Sequence, residues 1–423
     1  MQDHSAVHWR NLRGALALPG LMWMAAAIEA PPAQAQTYTI LHRFTGGVSN
    51  GENPAAGLWL NKTTGDLYGT TVLGPGCNPT ACAPGPGMVF ELDTTTGAET
   101  VLYSFKGKPD GASPFAGLVQ DSAGNLYGTT SAGGTSNLGT VFKLATTQET
   151  VLHSFTGPPD DGASPYAGLV GDSDGNFYGT TSAGGASNSG VVFKVTSTGA
   201  ETVLYSFTGG ADGGFPYGGL LRTSAGDLYG TTSAGGIATG NCYPNGCGVV
   251  FEVNTAGKET VRYSFTGSPD GAYPYAGLIG DPDDNLYGTT YNGGTGGCTN
   301  GCGAVFELNS AGEETVLHSF AGYPTDGAFP YAGLVRDSTG NLYGTAAYGG
   351  GSDSGVVFEL GTTGTETVLY SFQQTTDGAV PRAGLVLNSA DILYGTTYGG
   401  GVTGSACGGE PADTCGVVFK LKP

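Results

Sequence analysis

The chain has 423 residues, of which 78 are glycine, 23 are proline and only 12% are charged. Fifteen basic residues against 35 acidic ones give a formal net charge of −20. This balance argues against binding to nucleic acid or to anionic lipid, since both need clustered positive charge. The glycines show no three-residue period, which excludes a collagen-like chain, and 39% of the residues are apolar, enough to build a core.

The first thirty-five residues have the order of a secretory signal peptide. Arg13 precedes an apolar run at 15–28, and Ala-Gln-Ala at 33–35 fits the small-x-small cleavage rule. We therefore predict a signal peptide over residues 1–35 and a single domain over residues 36–423. The alternative is an uncleaved membrane anchor. No later segment approaches the ~20 continuous apolar residues of a membrane span.

One sequence unit then recurs seven times. In the second unit, segments at 116–119, 125–130, 140–144 and 149–155 are separated by turns rich in Asp, Gly, Asn and Ser, which predicts four strands. Four strands in about 50 residues is the period of a β-propeller blade. No segment of the mature chain shows the 3.6-residue period of a helix. The tag Leu/Phe-Tyr-Gly-Thr marks each unit through Tyr68, Tyr127, Tyr178, Tyr229, Tyr287, Tyr343 and Tyr394.

The repeats predict an all-β fold, a seven-bladed β-propeller of four-stranded antiparallel blades. The chain starts with a segment of the fourth-strand type at 39–44 and ends with one of the third-strand type at 417–421. The N-terminal strand is therefore expected to complete the last blade; the alternative is a ring whose blades begin at Thr39 without exchange. The predicted blades are about 54–105, 114–155, 165–207, 216–265, 274–320, 330–372, and 381–421 plus 38–44.

These motifs resemble the GloVer repeat of bacterial extracytoplasmic proteins called choice-of-anchor tandem repeat proteins. The shared pattern is Gly-Asn-Leu-Tyr-Gly-Thr-Thr, Gly-Gly, Gly-Val-Val-Phe-Glu-Leu, Glu-Thr-Val-Leu-Tyr-Ser-Phe and Asp-Gly-Ala-x-Pro-Tyr-Ala-Gly-Leu, over residues 38–421. The resemblance implies export and secreted or surface residence, and it implies no activity. Family members often carry a C-terminal anchoring tail, whereas Pro423 directly follows the last strand. We therefore expect a secreted or periplasmic protein, with association with the cell surface as the alternative.

The eight cysteines occur as close pairs in four predicted loops between second and third strands. These loops have 16, 16, 13 and 19 residues, against 9 in the three units without cysteine. Even pairing in an exported chain predicts disulfides, each worth about 2 kcal/mol on the loop-closure model. Zinc is the alternative, but a structural zinc needs four converging ligands, and we predict no metal site. The predicted disulfides are Cys77–Cys82, Cys242–Cys247, Cys298–Cys302 and Cys407–Cys415.

The loops between blades read Asp-Gly-x-x-Pro-aromatic, and in a propeller they emerge on the same rim as the cysteine loops. Insertions concentrated on one face usually mark a binding face, so we predict a ligand site there. It combines the inter-blade aromatics with residues that break the repeat; the alternative is neutral variation of exposed loops. The predicted site residues are Phe115, Tyr166, Tyr217, Tyr275, Tyr331, Arg382, Tyr243, Glu410 and Asp413.

No set of residues in the sequence predicts catalysis. The inter-blade aspartate recurs in six units, which is typical of a turn and not of a catalytic pair held in two different environments. His42, His153 and His318 fill a strand position that other units fill with tyrosine, so we interpret them as packing residues. Segments at Asp172 and Asp281 resemble the opening of a calcium loop but lack its later ligands; hairpin turns are preferred, with weak calcium binding as the alternative.

These features predict a non-enzymatic, exported binding or scaffold propeller whose partner is a glycan or another extracytoplasmic protein. Two alternatives stay open. One is a propeller hydrolase or lyase that acts on polysaccharide, and the other is a purely structural envelope repeat. We expect no nucleic-acid partner, no cofactor and no transmembrane segment in the mature chain, and the sequence does not indicate an oligomeric state.

Overall fold

The computed structural model describes residues 36–46, 50–74, 86–238, 242, 244–374, 376–401 and 415–423. Gln36–Pro423 forms one compact unit, and its described residues form strands and turns without an α-helix. Within these ranges no helix is long and apolar enough to cross a membrane. The predicted signal peptide at 1–35 lies outside them, as do six other residues singled out above: Cys77, Cys82, Tyr243, Cys407, Glu410 and Asp413.

The chain folds into seven four-stranded antiparallel sheets, which confirms the predicted seven-bladed propeller. The first strand is β1 (Thr37–Arg43). Blades one to three are β2 (Trp59–Leu60), β3 (Leu67–Thr71), β4 (Met88–Leu92) and β5 (Glu99–Ser104); β7 (Val119–Gln120), β8 (Leu126–Thr130), β10 (Thr140–Ala145) and β11 (Gln148–Ser154); and β13 (Val170–Gly171), β14 (Asn176–Thr181), β16 (Val191–Thr196) and β17 (Glu201–Ser206).

Blades four to seven repeat the arrangement, and the last of them has three strands of its own before β1 joins it. They are β18 (Leu221–Arg222), β19 (Leu228–Thr232), β20 (Val249–Val253) and β21 (Glu259–Ser264); β23 (Ile279–Gly280), β24 (Leu286–Thr290), β26 (Ala304–Leu308) and β27 (Glu314–Ser319); β29 (Val335–Arg336), β30 (Leu342–Ala346), β32 (Val356–Leu360) and β33 (Glu366–Ser371); and β34 (Val386–Leu387), β35 (Leu393–Thr397) and β36 (Val417–Lys422).

The ring is closed by the N-terminal strand. β1 runs antiparallel to β36, with Thr37 opposite Lys422, and forms the outer strand of blade seven. Tyr38 in β1 also stacks on Tyr370 of blade six, with ring centroids 3.9 Å apart. Closure by exchange, as predicted, therefore pairs a strand edge that would otherwise be free.

The residues of the repeated tag are explained by packing within and between blades. In blade two, a Cβ on Gly128 would lie 2.8 Å from the ring of Phe142, so glycine makes room for that ring. Phe142 also packs edge-on against Phe105 of blade one, 5.1 Å away, and similar Phe–Phe pairs occur at the other six blade contacts. Thr129 donates a buried hydrogen bond of 2.9 Å to the carbonyl of Ala167 in blade three. Gly128 thus makes room for a contact with the preceding blade, and Thr129 bonds to the next one.

On one face, each loop between blades pairs with the loop between the second and third strands of the blade it enters. We call this the loop face. Isolated bridges replace the small sheets in blades one, four and seven, at Glu52–Leu73, Gly214–Ala234 and Ala379–Gly399. The small sheets are β6 (Gly111–Ala112) with β9 (Ala132–Gly133), β12 (Gly162–Ala163) with β15 (Ala183–Gly184), β22 (Gly271–Ala272) with β25 (Asn292–Gly293), and β28 (Gly327–Ala328) with β31 (Tyr348–Gly349).

A ring of seven glycines surrounds the axis. A Cβ on Gly277 would lie 2.7 Å from the carbonyl oxygen of Gly219, too close for a side chain, whereas the corresponding distance at Gly384 is 3.7 Å. The predicted first strands therefore begin too early in the sequence. In blade two, strand pairing begins at Val119 and not at Ala116, because the Ala-Gly pair packs around the axis. We call Gly57, Gly117, Gly168, Gly219, Gly277, Gly333 and Gly384 the glycine ring.

Candidate functional site

On the loop face, a belt of five aromatic side chains and one arginine surrounds the axis. In blades two to seven each member lies two residues before the ring glycine of its own blade in the sequence, and each is half-buried. Blade one has Ala55 at this position, so the belt is open there. Successive ring centroids from blade two to blade six lie 5.2, 5.3, 5.4 and 5.7 Å apart. The belt consists of Phe115, Tyr166, Tyr217, Tyr275, Tyr331 and Arg382, the described members of the predicted ligand site.

A strained turn fixes each belt residue. Before Tyr166, Ser164 has a φ of 55°, the left-handed region that costs a non-glycine residue free energy. Its amide donates to the carbonyl of Leu138 in the preceding blade (2.8 Å), and its carbonyl accepts from the amide of Ser182 (3.1 Å). Two blades therefore clamp the turn. The same backbone conformation occurs in all seven blades, at Asn53, Ser113, Ser164, Phe215, Tyr273, Phe329 and Val380.

The belt is thicker on the side of blades five to seven. Tyr291 lies 4.7 Å from Tyr331 and 5.0 Å from Phe329, measured between ring centroids. Tyr348 lies 6.1 Å from Phe329. In blades two to four, the position of Tyr291 is taken by serine, at Ser131, Ser182 and Ser233. These serines are buried and donate their hydroxyls to carbonyls of the strained turns. The additional rings of blades five to seven therefore break the sevenfold symmetry of the mouth.

Arg382 places a positive charge at the mouth. Its guanidinium carbon lies 4.5 Å from the ring centroid of Tyr398 and 5.3 Å from that of Tyr331, within the range of cation–π attraction. Its Nε is buried without a hydrogen-bond partner among the described residues. Nearby, burial raises the pKa of Tyr217 and of Tyr275, so both hydroxyls stay neutral hydrogen-bond donors at physiological pH.

Disulfides hold two of the long loops on this face. Cys242–Cys247 and Cys298–Cys302 are formed, each with a Cα–Cα distance of 5.0 Å, as predicted. Cys415 is also disulfide-bonded. A Cβ on Gly267 would lie 3.1 Å from the sulfur of Cys242, so this disulfide packs against the loop that leads to blade five. The disulfide therefore stiffens the loop face.

Each contact between consecutive blades also carries a polar cluster, which we call the seam. In the seam between blades one and two, Asp110 accepts hydrogen bonds from the hydroxyl of Tyr103 (2.8 Å) and the amide of Lys106 (2.9 Å). Burial, and then the charge of Asp110, raises the pKa of Glu149 in blade two to about 7. The aspartate thus shapes its turn and also faces the outer strand of the next blade.

In three seams histidine replaces tyrosine. The Nε2 atom of His153 lies 3.1 Å from Oδ2 of Asp161, and that of His318 lies 3.2 Å from Oδ2 of Asp326. Burial alone would raise the pKa of Asp161, but hydrogen bonds from His153 and nearby amides hold it below its usual value. His42 faces Asn50 at the corresponding place, at 3.4 Å.

The segment that resembles a calcium loop forms a hairpin turn. One oxygen of Asp172 accepts from the amides of Asp174 and Asn176, both at 2.9 Å. The other accepts from the Asn176 side chain at 2.8 Å and the Tyr178 hydroxyl at 3.0 Å. The carboxylate is thus occupied within its own turn, and weak calcium binding stays the alternative.

The sequence profile of the Gloeobacter/Verrucomicrobia repeat matches residues 29–243 and 237–409. The chain belongs to this repeat family. The profile spans the tags and belt residues of all seven blades, which confirms the resemblance drawn from the motifs. No curated protein matches this Gloeobacter/Verrucomicrobia repeat chain.

Solved structures of similar fold are propellers with little sequence identity. Virginiamycin B lyase from Staphylococcus aureus superposes with a TM-score of 0.55 and 12% identity, over 92% of this chain and 99% of that one. An oligogalacturonate lyase in complex with manganese gives a TM-score of 0.50 and 13% identity, over 86% and 95%. At such identity the similarity of this repeat protein to the lyases concerns the fold alone.

Two groups of residues were missed by the sequence analysis. The additional mouth aromatics, Tyr291, Phe329 and Tyr348, could have been found by aligning the repeats, since Tyr291 stands where three other units have serine. The seam glutamates were missed because each belongs to the blade after its aspartate. Only the circular order of the blades brings the two carboxyl groups together.

Proposed function

We propose that this propeller is an exported, non-enzymatic binding protein that recognises a glycan at the mouth of its loop face. The observation that carries the proposal is the belt, whose rings pack in succession from blade two to blade six around the mouth. Sugar rings offer C–H surfaces that pack on aromatic faces, and hydroxyls that pair with polar side chains. The belt rings, their tyrosine hydroxyls and the guanidinium of Arg382 offer both kinds of contact at one mouth.

Rigidity supports this proposal. The belt residues follow turns clamped by two blades, and disulfides hold loops on the same face. Binding to a preformed surface avoids the free-energy cost of ordering flexible loops. The disulfides also favour an oxidising compartment outside the cytosol, which supports a periplasmic or secreted location.

The proposal is tested by retention of the purified protein on a panel of immobilised bacterial and plant polysaccharides. The double variant Tyr217→Ala/Tyr275→Ala removes two belt rings, and the fold should accept alanine because blade one has Ala55 there. We expect at least one polysaccharide to retain the wild type, and the variant to bind it at least tenfold more weakly.

The matched control is Tyr323→Ala, since Tyr323 is 63% exposed and is not a member of the belt. This control should bind like the wild type, and melting curves should show all three proteins folded. Equal retention of the belt variant and the wild type, or no retention on any polysaccharide, would contradict the proposal.

A further inference from the structure

The seam between blades two and three brings together three side chains with metal-ligating atoms. His153 lies on β11, Asp161 in the loop to blade three, and Glu201 on β17. One ligating atom from each of the three residues lies within 4.8 Å of the other two. The three residues belong to two consecutive repeats, so they come together only because the two blades pack against each other.

The seam between blades five and six repeats this cluster with His318, Asp326 and Glu366, whose ligating atoms also lie within 4.8 Å of one another. Among the described residues these two clusters are the ones in which His, Cys, Asp or Glu converge so closely. The chain thus contains two equivalent candidate sites, three blades apart.

Each cluster has a buried oxygen with no protein partner. Oε1 of Glu201 and Oε1 of Glu366 are inaccessible to solvent and accept no hydrogen bond among the described residues. The aspartates beside them are only 8% exposed. The same oxygen is unpaired in the other seam glutamates, Glu99, Glu149, Glu259 and Glu314, so it does not by itself indicate a cation. These two seams differ because histidine, aspartate and glutamate converge there, so that an imidazole nitrogen lies beside two carboxyl groups.

The donor set indicates what kind of cation fits. One imidazole nitrogen with two carboxylates is typical of zinc and related divalent transition metals, whereas calcium and magnesium prefer oxygen alone. We propose that His153, Asp161 and Glu201, and equally His318, Asp326 and Glu366, bind a divalent transition metal ion such as Zn²⁺. Each ion takes ligands from two consecutive blades and ties them together at the seam.

The chain provides its own control for this proposal. Four seams have tyrosine at the histidine position, at Tyr103, Tyr205, Tyr263 and Tyr370, and there the hydroxyl donates to the aspartate. The double variant His153→Tyr/His318→Tyr therefore gives two seams a residue that the fold already accepts. It removes the nitrogen ligand while keeping the hydrogen bond to the aspartate.

The experiment is zinc titration calorimetry on the full chain, previously dialysed against chelator, with metal content counted by mass spectrometry. We expect two zinc ions per chain, loss of both in His153→Tyr/His318→Tyr, and a zinc-dependent rise in melting temperature of the wild type alone. Glu201→Gln/Glu366→Gln is a second variant that should lose both ions if the tyrosine variant misfolds. Equal zinc binding by the wild type and a folded variant, or no binding by the wild type, would overturn the proposal.

Discussion

Replacing three seam glutamates by glutamine tests whether these buried carboxyl groups make stability depend on pH. Glu149, Glu259 and Glu314 lie in seams that have tyrosine. In each case burial, and then the charge of the preceding aspartate, raises the pKa to about 7 from an ordinary value of 4.5. Because the folded chain holds these protons more tightly than the unfolded chain, the stability present below pH 4.5 is lost as the pH rises to about 7.

The magnitude follows from the two pKa values. The interval from 4.5 to about 7 corresponds to roughly 3.4 kcal/mol for each glutamate. Since these side chains are only half-buried, solvent screening reduces the figure to about 1–1.5 kcal/mol each. The three sites lie in different seams, so their effects should add to about 3–4.5 kcal/mol.

The assay is urea denaturation of the wild type and of Glu149→Gln/Glu259→Gln/Glu314→Gln at pH 4 and pH 8, in buffer with chelator. Glutamine resembles the protonated acid, so we expect nearly equal stabilities at pH 4, below the ordinary pKa of 4.5, and a more stable variant at pH 8. Glu313→Gln, at the exposed neighbour of Glu314, should show no such change. The reasoning is refuted if the difference between triple variant and wild type is the same at both pH values.

Two further predictions concern the axis and the seams. Gly277→Ala places a Cβ 2.7 Å from a backbone oxygen and should lower the free energy of unfolding by about 1–3 kcal/mol, whereas Gly384→Ala, where that distance is 3.7 Å, should cost less; equal denaturation midpoints would contradict this account. Asn50→Asp should complete a third cluster, because His42 Nε2 lies 3.4 Å from Asn50 and 3.5 Å from Glu99. Calorimetry should then count three zinc ions, and a count of two would show that the three side chains do not suffice.

Much of the fold could be predicted because the same pattern occurs seven times, so that local irregularities do not hide it. The structural details that were missed are those that leave no periodic pattern in the sequence. In β11, a bulge lies between the pairs Val141–His153 and Phe142–Val151, which interrupts the alternation of side chains between the two faces of the strand. The bulge depends on packing against the third strand, which the sequence of β11 alone does not express.

The candidate site was only partly predictable. The belt positions followed from one recurring residue in the inter-blade loop, but contact between their rings depends on how closely the glycine ring draws the blades together. The seam clusters were harder to predict than the belt. His153, Asp161 and Glu201 lie in two repeats, and their meeting depends on the order of blades around the axis. The spacing of residues within one repeat does not predict this contact.

The register between β1 and β36 determines how this ring would respond to mechanical force. Thr37 lies opposite Lys422, so the first and last strands of the propeller have their outer ends at the same corner of blade seven. Traction applied to both ends would load the hydrogen bonds of this strand pair one after another, as in peeling, and not all together, as in shearing. The seam of closure would then open first, and the six blades built from consecutive chain would outlast it.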